Sequence, residues 1–129
     1  MKTILVVDDD LGMIRLLEKR LRSDGFEVIG ALNGRTGLKK AKEVKPDLIL
    51  LDILMPDISG GEVTRQLQLD PELKDIPIIF ITVTIDKKED KVDKEIELDG
   101  HVYPAFAKPL HHQKLMSVIK KELKRTGKE

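Results

Sequence analysis

The feature that most constrains this chain is an alternation, repeated five times, between a short apolar run and an amphipathic stretch. The apolar runs are five or six residues long and rich in β-branched side chains. Such runs are typical of strands that are buried on both faces of a sheet. The stretches between them place apolar residues three and four apart, as on one face of a helix. The pattern predicts a single α/β domain over residues 1–129, with a parallel sheet covered by helices on both faces.

The boundaries of the predicted elements follow from the apolar runs and from the glycines and prolines between them. The predicted strands are residues 3–7, 27–31, 47–51, 77–82 and 102–107. Four helices are predicted here: the first begins at Leu11 and stops at Gly25, and the second spans 36–44. The third begins near Val63, and the last spans 111–125. Residues 86–99 are charged, and Val92 and Ile96 stand four apart, so a marginal fourth helix is predicted there.

The composition excludes several classes of function. Lys and Arg together number 23, as do Asp and Glu, so the balanced charge favours neither nucleic acid nor an anionic membrane as a partner. The absence of cysteine excludes disulfides and thiolate metal sites. The apolar run at residues 4–7 is too short for a signal peptide or a membrane span. These features predict a soluble cytoplasmic protein, and we expect a monomer or a weak dimer.

Polar side chains stand at the carboxyl ends of four predicted strands, where parallel α/β sheets bind their ligands. They are Asp8, Asp9, Asp10, Asp52, Thr82 and Lys108. Clustered carboxylates repel one another unless a cation lies among them, and Mg²⁺ prefers carboxylates, waters and phosphate oxygens. A lysine and a threonine hydroxyl beside such a cation suit the transfer of a phosphoryl group to a carboxylate nucleophile.

The motifs that carry these residues resemble those of the receiver domains of two-component response regulators, over nearly the whole chain. The matching segments are Val6-Val7-Asp8-Asp9, Leu51-Asp52 with Met55-Pro56 and Gly60, Ile81-Thr82, and Phe106-Ala107-Lys108-Pro109-Leu110. Each segment alone is weak evidence, but the four in this order on five β-α units are specific. The resemblance implies a flavodoxin-like, doubly wound fold with a five-stranded parallel sheet in the order 2-1-3-4-5 and five helices.

The resemblance also implies roles for the site residues. Asp52 would accept the phosphoryl group, and Thr82 and Lys108 would bind its oxygens. Asp9, Asp52 and the backbone carbonyl of Leu54 would bind Mg²⁺ directly, with Asp8 acting through water. The donor would be a sensor histidine kinase or a histidine phosphotransfer protein, and an unknown protein would receive the signal. Such a domain catalyses only its own phosphorylation and dephosphorylation, so we do not expect an enzyme in the ordinary sense.

Simpler interpretations compete at several positions. Asp10 is better explained as a helix N-cap than as a ligand. The Gly34–Gly37 segment matches the GxxG loop of an RNA-binding KH module, but a predicted strand precedes it, so a strand-to-helix turn is favoured. An aspartyl phosphatase would need an acid at position 54, where this chain has leucine. The alternative from another class is a receiver-like docking module that works without phosphorylation.

Three departures from the family pattern concern the switch. Val83 stands where a small residue is usual, and the segment from Thr82 to Lys108 is longer than the pattern expects. Ala105 occupies the position at which receivers commonly carry an aromatic ring that turns inward. Strand alternation sends Phe106 to the opposite face, into the core, and leaves Tyr103 on the face of Ala105. We therefore expect the signal to travel through residues 82–84 and the loop that follows them.

Overall fold

The computed structural model describes residues 1–83 and 94–127, over which strands and helices alternate as far as β4. None of the helices in these ranges is long and apolar enough to cross a bilayer. The elements are β1 (Thr3–Val7), α1 (Leu11–Ser23), β2 (Glu27–Ala31), α2 (Gly34–Val44), β3 (Leu48–Asp52), α3 (Gly60–Leu69), β4 (Ile78–Val83), β5 (Lys94–Leu98), β6 (His101–Lys108) and α4 (His112–Arg125).

The strands form one sheet in the order β2-β1-β3-β4-β6-β5. All neighbours in it are parallel except β5 and β6, which are antiparallel. The predicted fold class is confirmed, since β2, β1, β3, β4 and β6 reproduce the expected 2-1-3-4-5 order. The described residues add a sixth strand and contain four helices instead of the expected five.

The core lies in two layers, one on each face of the sheet. Because side chains alternate along a strand, Ile4 and Val6 face one layer while Leu5 and Val7 face the other. The first layer contains the apolar faces of α1 and α4. The second layer contains those of α2 and α3. Both faces of the sheet are therefore covered, which explains the continuous apolar character of β1 and β3.

The predicted fourth helix is wrong over the part of it that the structure describes. Residues 94–98 form strand β5, which pairs with β6 from Leu98 opposite His101 to Lys94 opposite Ala105. The remainder of that prediction lies outside the described residues. The four-residue spacing of Val92 and Ile96 favours a helix, whereas the alternation of polar and apolar residues in 94–98 favours a strand, and the strand forms.

A two-residue turn explains why this segment is extended. Asp99 and Gly100 both have positive φ angles, 50° and 83°, as a tight hairpin turn requires. Asp-Gly between alternating residues is a strong hairpin signal, and it favours a strand on each side. Pro104 lies opposite Glu95 on β5, and its missing N–H removes no bond to β4, because the pairing of β6 with β4 starts at Ala105, opposite Phe80.

Candidate functional site

Adjacent strands bring the predicted acids together. Because β1 pairs with β3, Val7 lies opposite Leu51, and the residues that follow them meet at the carboxyl edge of the sheet. One carboxylate oxygen from each of Asp8, Asp9 and Asp52 lies within 4.8 Å of the other two. This acidic cluster is the one group of potential metal-binding side chains found in the described ranges.

Lys108 reaches the acidic cluster from the end of β6. Its Nζ lies 2.9 Å from Oδ2 of Asp8 and 3.4 Å from Oδ2 of Asp52. The two acids are almost fully buried, at 0% and 4% exposure, and the lysine side chain is 14% exposed. The ammonium group therefore lies between two buried carboxylates instead of extending into solvent. This position excludes the interpretation of Lys108 as an ordinary surface lysine.

The hydrogen bonds of Asp8 are incomplete. Its Oδ1 accepts a bond of 2.9 Å from the backbone N–H of Asp10, and its backbone N–H donates to the carbonyl of Ala31 at 3.0 Å. Its Oδ2 is buried and accepts no well-formed hydrogen bond from the described residues, although Lys108 lies close to it. A buried carboxylate oxygen without a donor is costly, and a cation beside it lowers that cost.

The surroundings of Asp52 favour its neutral form. Burial, together with the negative charge of Asp8, raises the pKa of Asp52 from 3.8 to about 6, although Lys108 and the N–H of Leu54 act against the shift. Burial by itself would lower the pKa of Lys108, but its 2.9 Å ion pair with Asp8, reinforced by the charge of Asp52, raises the pKa above 10.5. The lysine is therefore charged at neutral pH, and Asp52 ionises at an energetic cost.

This donor set fits a divalent cation. In the part of the chain that the structure describes, three carboxylates meet one ammonium group, so the ionised cluster carries excess negative charge. Carboxylate oxygens are the ligands that Mg²⁺ prefers, and Oδ2 of Asp8 has an ion pair to Lys108 but no hydrogen-bond donor among the described residues. The acidic cluster therefore suits Mg²⁺ better than a softer metal, which would require nitrogen or sulfur ligands.

A close backbone approach shapes the loop after Asp52. The N–H of Gly60 donates to the carbonyl of Ile53 at 2.7 Å, which joins the start of α3 to the end of β3. A Cβ at Gly60 would overlap the carbonyl oxygen of Asp52 and lie 2.9 Å from Cα of Ile53. Only glycine fits without a shift of the loop. Within the loop, the N–H of Leu54 lies 3.4 Å from Oδ1 of Asp52.

The structure also locates the other predicted residues. Asp10 is the N-cap of α1 and accepts bonds from the N–H groups of Gly12 and Met13, so its interpretation as a cap is confirmed. Thr82 is half-buried near the end of β4, opposite Ala107. Its neighbour Val83 pairs with Lys108 through the backbone.

The aromatic side chains of β6 are arranged as predicted. Phe106 is buried in the layer with α1 and α4, and Ala105 and Tyr103 are buried in the opposite layer. The ring of Tyr103 packs edge-on against Phe80, with centroids 5.6 Å apart, and its hydroxyl accepts a bond of 2.9 Å from Gln68 on α3. No ring therefore occupies the position of Ala105 beside the site.

One side chain near the site was not singled out by the sequence analysis. The carboxylate of Asp57 accepts hydrogen bonds from the N–H groups of Gly34 and Arg35, at 3.0 and 2.9 Å. Asp57 thereby caps α2 from another part of the chain. An aspartate after a proline indicates a turn, but nothing in the local sequence identifies a helix that is more than twenty residues away.

The fold and the acidic cluster define the general class of this protein. It is a flavodoxin-like α/β domain whose acids and lysine meet at the carboxyl edge of the sheet, where doubly wound folds place their sites. Residues 4–120 match the family described as the response regulator receiver domain. The chain belongs to this family.

Known proteins are similar to this chain over most of its length. The polar-differentiation response regulator DivK of Brucella anthropi is 34% identical over 122 residues, which are 95% of this chain and 96% of DivK. The alkaline phosphatase synthesis transcriptional regulatory protein PhoP of Bacillus subtilis is 35% identical over 97% of this chain, which spans only 50% of PhoP. The structure of TrrA from Thermotoga maritima in complex with Mg²⁺-BeF has a TM-score of 0.76 and 34% identity, and it covers 95% of this chain and 99% of that one.

Proposed function

We propose that this receiver domain accepts a phosphoryl group on Asp52 in a Mg²⁺-dependent reaction and changes conformation in response. The observation that carries the proposal is the burial of Asp52 beside Asp8 and Asp9, with Lys108 as the nearby cation. The donor is a sensor histidine kinase or a histidine phosphotransfer protein, and a downstream protein reads the result. A cytoplasmic location and the absence of any further enzymatic activity belong to the same proposal.

Asp52 acts as the nucleophile, so it must be ionised when the donor arrives. A bond from phosphorus to the carboxylate oxygen forms as the bond from phosphorus to the donor's histidine nitrogen breaks, and the nitrogen keeps the electron pair. Asp9, Asp52 and the Leu54 carbonyl would hold Mg²⁺ directly, with Asp8 acting through water. When bound, the ion would neutralise charge on the phosphoryl oxygens and favour the ionised form of Asp52.

Lys108 and Thr82 would act on the transferred group. The ammonium of Lys108 already lies 3.4 Å from Oδ2 of Asp52, so a small displacement would let it contact a phosphoryl oxygen attached there. The hydroxyl of Thr82, one residue beyond the β4 partner of Asp52, can donate a hydrogen bond to a second oxygen. Both contacts exist only after transfer, so they can couple phosphorylation to the positions of β4 and β6.

The proposal is supported by what the relatives are and bind. TrrA was solved with Mg²⁺-BeF, and DivK is a response regulator of almost the same length as this chain. The alternative, a docking module that works without phosphorylation, gives no reason for a lysine held between two buried carboxylates.

The test is incubation with acetyl phosphate or a phosphorylated histidine kinase, with and without Mg²⁺, followed by intact mass spectrometry. We expect one added phosphoryl group, labile to hydroxylamine as an acyl phosphate is. Asp52→Asn should abolish the addition, whereas Asp10→Ala, which removes only a helix cap, should retain it. Labelling of Asp52→Asn at the rate of the unmodified chain would refute the proposal. No labelling of the unmodified chain by any donor would favour the docking module.

A further inference from the structure

The segment between β3 and α3, residues 53–59, carries Leu54 and is here called the β3–α3 loop. Leu54 is 59% exposed, whereas Ile53, Met55 and Ile58 of the same loop are partly buried and pack against the second core layer. Hydrogen bonds attach the loop at two further points, here called the inner and the outer attachment. The inner attachment is the 2.7 Å hydrogen bond from the N–H of Gly60 to the carbonyl of Ile53.

Asp57 makes the outer attachment. Its two carboxylate oxygens each accept one backbone N–H at the start of α2, Oδ1 from Gly34 and Oδ2 from Arg35. The hydrogen bond from Arg35, together with that from Gly34, lowers the pKa of Asp57 to about 2, although partial burial acts against this shift. The carboxylate is therefore charged throughout the physiological range, and a charged acceptor makes the stronger kind of hydrogen bond. Its position at a helix N-terminus favours the negative charge further.

A second contact joins the same two elements. A Cβ at Gly34 would lie 2.5 Å from Cγ1 and 3.1 Å from the carbonyl oxygen of Ile58, so only glycine allows α2 to approach the loop this closely. The strand before α2 is also bonded to the site, because the carbonyl of Ala31 accepts the N–H of Asp8. The start of α2 is thus connected to the acidic cluster on one side and to the β3–α3 loop on the other.

We infer that Asp57 is a positioning residue, which holds the β3–α3 loop against α2 and so keeps the Leu54 peptide beside Asp52 for cation binding. The inference rests on the function proposed above, since it concerns the affinity of the same site for Mg²⁺. Asp57 is not itself a ligand in this proposal. Its loss leaves the acidic cluster and the inner attachment intact but loosens the loop, so that binding the cation must also order the Leu54 peptide.

The experiment compares Asp57→Asn and Asp57→Ala with the unmodified chain in an NMR titration with MgCl₂. The asparagine side chain has one acceptor oxygen in place of two, so the bond to Gly34 or to Arg35 is lost. We expect about a tenfold weaker affinity for Mg²⁺ in Asp57→Ala and a smaller loss in Asp57→Asn. Amide exchange at Gly34 and Arg35 should accelerate even without Mg²⁺. With acetyl phosphate, the Mg²⁺ concentration for half-maximal labelling should rise while the rate at saturating Mg²⁺ stays near that of the unmodified chain.

Asp47→Asn is the matched control. Asp47 also accepts a backbone N–H through its carboxylate, from Thr3 at 2.8 Å, but it precedes β3 and so lies at the opposite edge of the sheet. It should lower stability without changing the affinity for Mg²⁺. Unchanged Mg²⁺ affinity in both Asp57 variants, or an equal loss in Asp47→Asn, would overturn the inference and leave the proposed function in place. An unmodified chain that neither binds Mg²⁺ nor accepts phosphate would overturn both.

Discussion

Asp52 should destabilise the metal-free fold at neutral pH, so Asp52→Asn should be more stable than the unmodified chain. The folded pKa of about 6 lies above the ordinary value of 3.8. That difference corresponds to an upper limit of about 3 kcal/mol. Solvent screening at the open edge of the sheet reduces this figure, as does the loss of the 3.4 Å contact with Lys108. We expect a gain of about 1–2 kcal/mol in the free energy of unfolding.

The pH dependence gives the sign of the effect. Between about pH 4 and pH 6 the folded chain holds a proton on Asp52 that the unfolded chain has released, so its stability falls as pH rises through this window. Asp52→Asn lacks this loss, so its advantage should be small below pH 4 and full above pH 6. Urea denaturation in EDTA at pH 4 and pH 7 measures both values. In Asp47→Asn, which loses a favourable carboxylate contact, stability should fall instead. An Asp52→Asn variant that is no more stable at pH 7, or an advantage independent of pH, would refute the reasoning.

Three further predictions concern the same site. Asp9→Ala should weaken Mg²⁺ binding sharply in an NMR titration, whereas Asp10→Ala should leave the affinity unchanged. Asp10→Ala should instead lower the free energy of unfolding by about 1 kcal/mol, because a helix cap is lost. The reverse order of Mg²⁺ affinities would show that the ligands are misassigned. Lys108→Ala should lose the NMR response to beryllofluoride, and Lys108→Arg should not restore it, because a planar guanidinium does not fit the space of a compact ammonium. A normal response in Lys108→Ala would remove the lysine from the mechanism. Beryllofluoride should shift amides in residues 82–90, of which 84–90 lie outside the described residues, and leave the rings of Tyr103 and Phe106 in place; a ring flip would contradict this route.

The main part of the site could be predicted because it depends on where strands end. Once β1, β3, β4 and β6 are identified as parallel neighbours, the residues that follow them must meet at one edge, whatever the details of packing. The juxtaposition of Asp8, Asp52 and Lys108 is of this kind. The sequence does not contain the distances, and the position of Lys108 between two carboxylates emerges only from the fold.

What could not be predicted depends on contacts between distant segments or on competing local patterns. Asp57 caps a helix that begins 23 residues earlier in the chain, and a local pattern contains no record of such a partner. The β5–β6 hairpin is different, because the sequence contains both its turn signal, Asp99-Gly100, and a competing helical spacing, Val92 and Ile96. A turn with defined dihedral angles is stronger evidence than two apolar residues at the right interval.

The position of Tyr103 gives this protein an optical probe of its own. The chain contains one tyrosine and no tryptophan, so its tyrosine emission comes from a single ring. That ring lies between Phe80 on β4 and Gln68 on α3. Burial and the charge of Asp99 raise the pKa of its hydroxyl, although the hydrogen bond from Gln68 acts against this shift. Unlabelled protein can therefore report by fluorescence, or by the absorbance of tyrosinate in alkaline solution, whether α3 and β6 separate. Because the expected route of the signal leaves this ring in place, phosphorylation should leave the emission unchanged, and a change would show without a dye that α3 and β6 had separated.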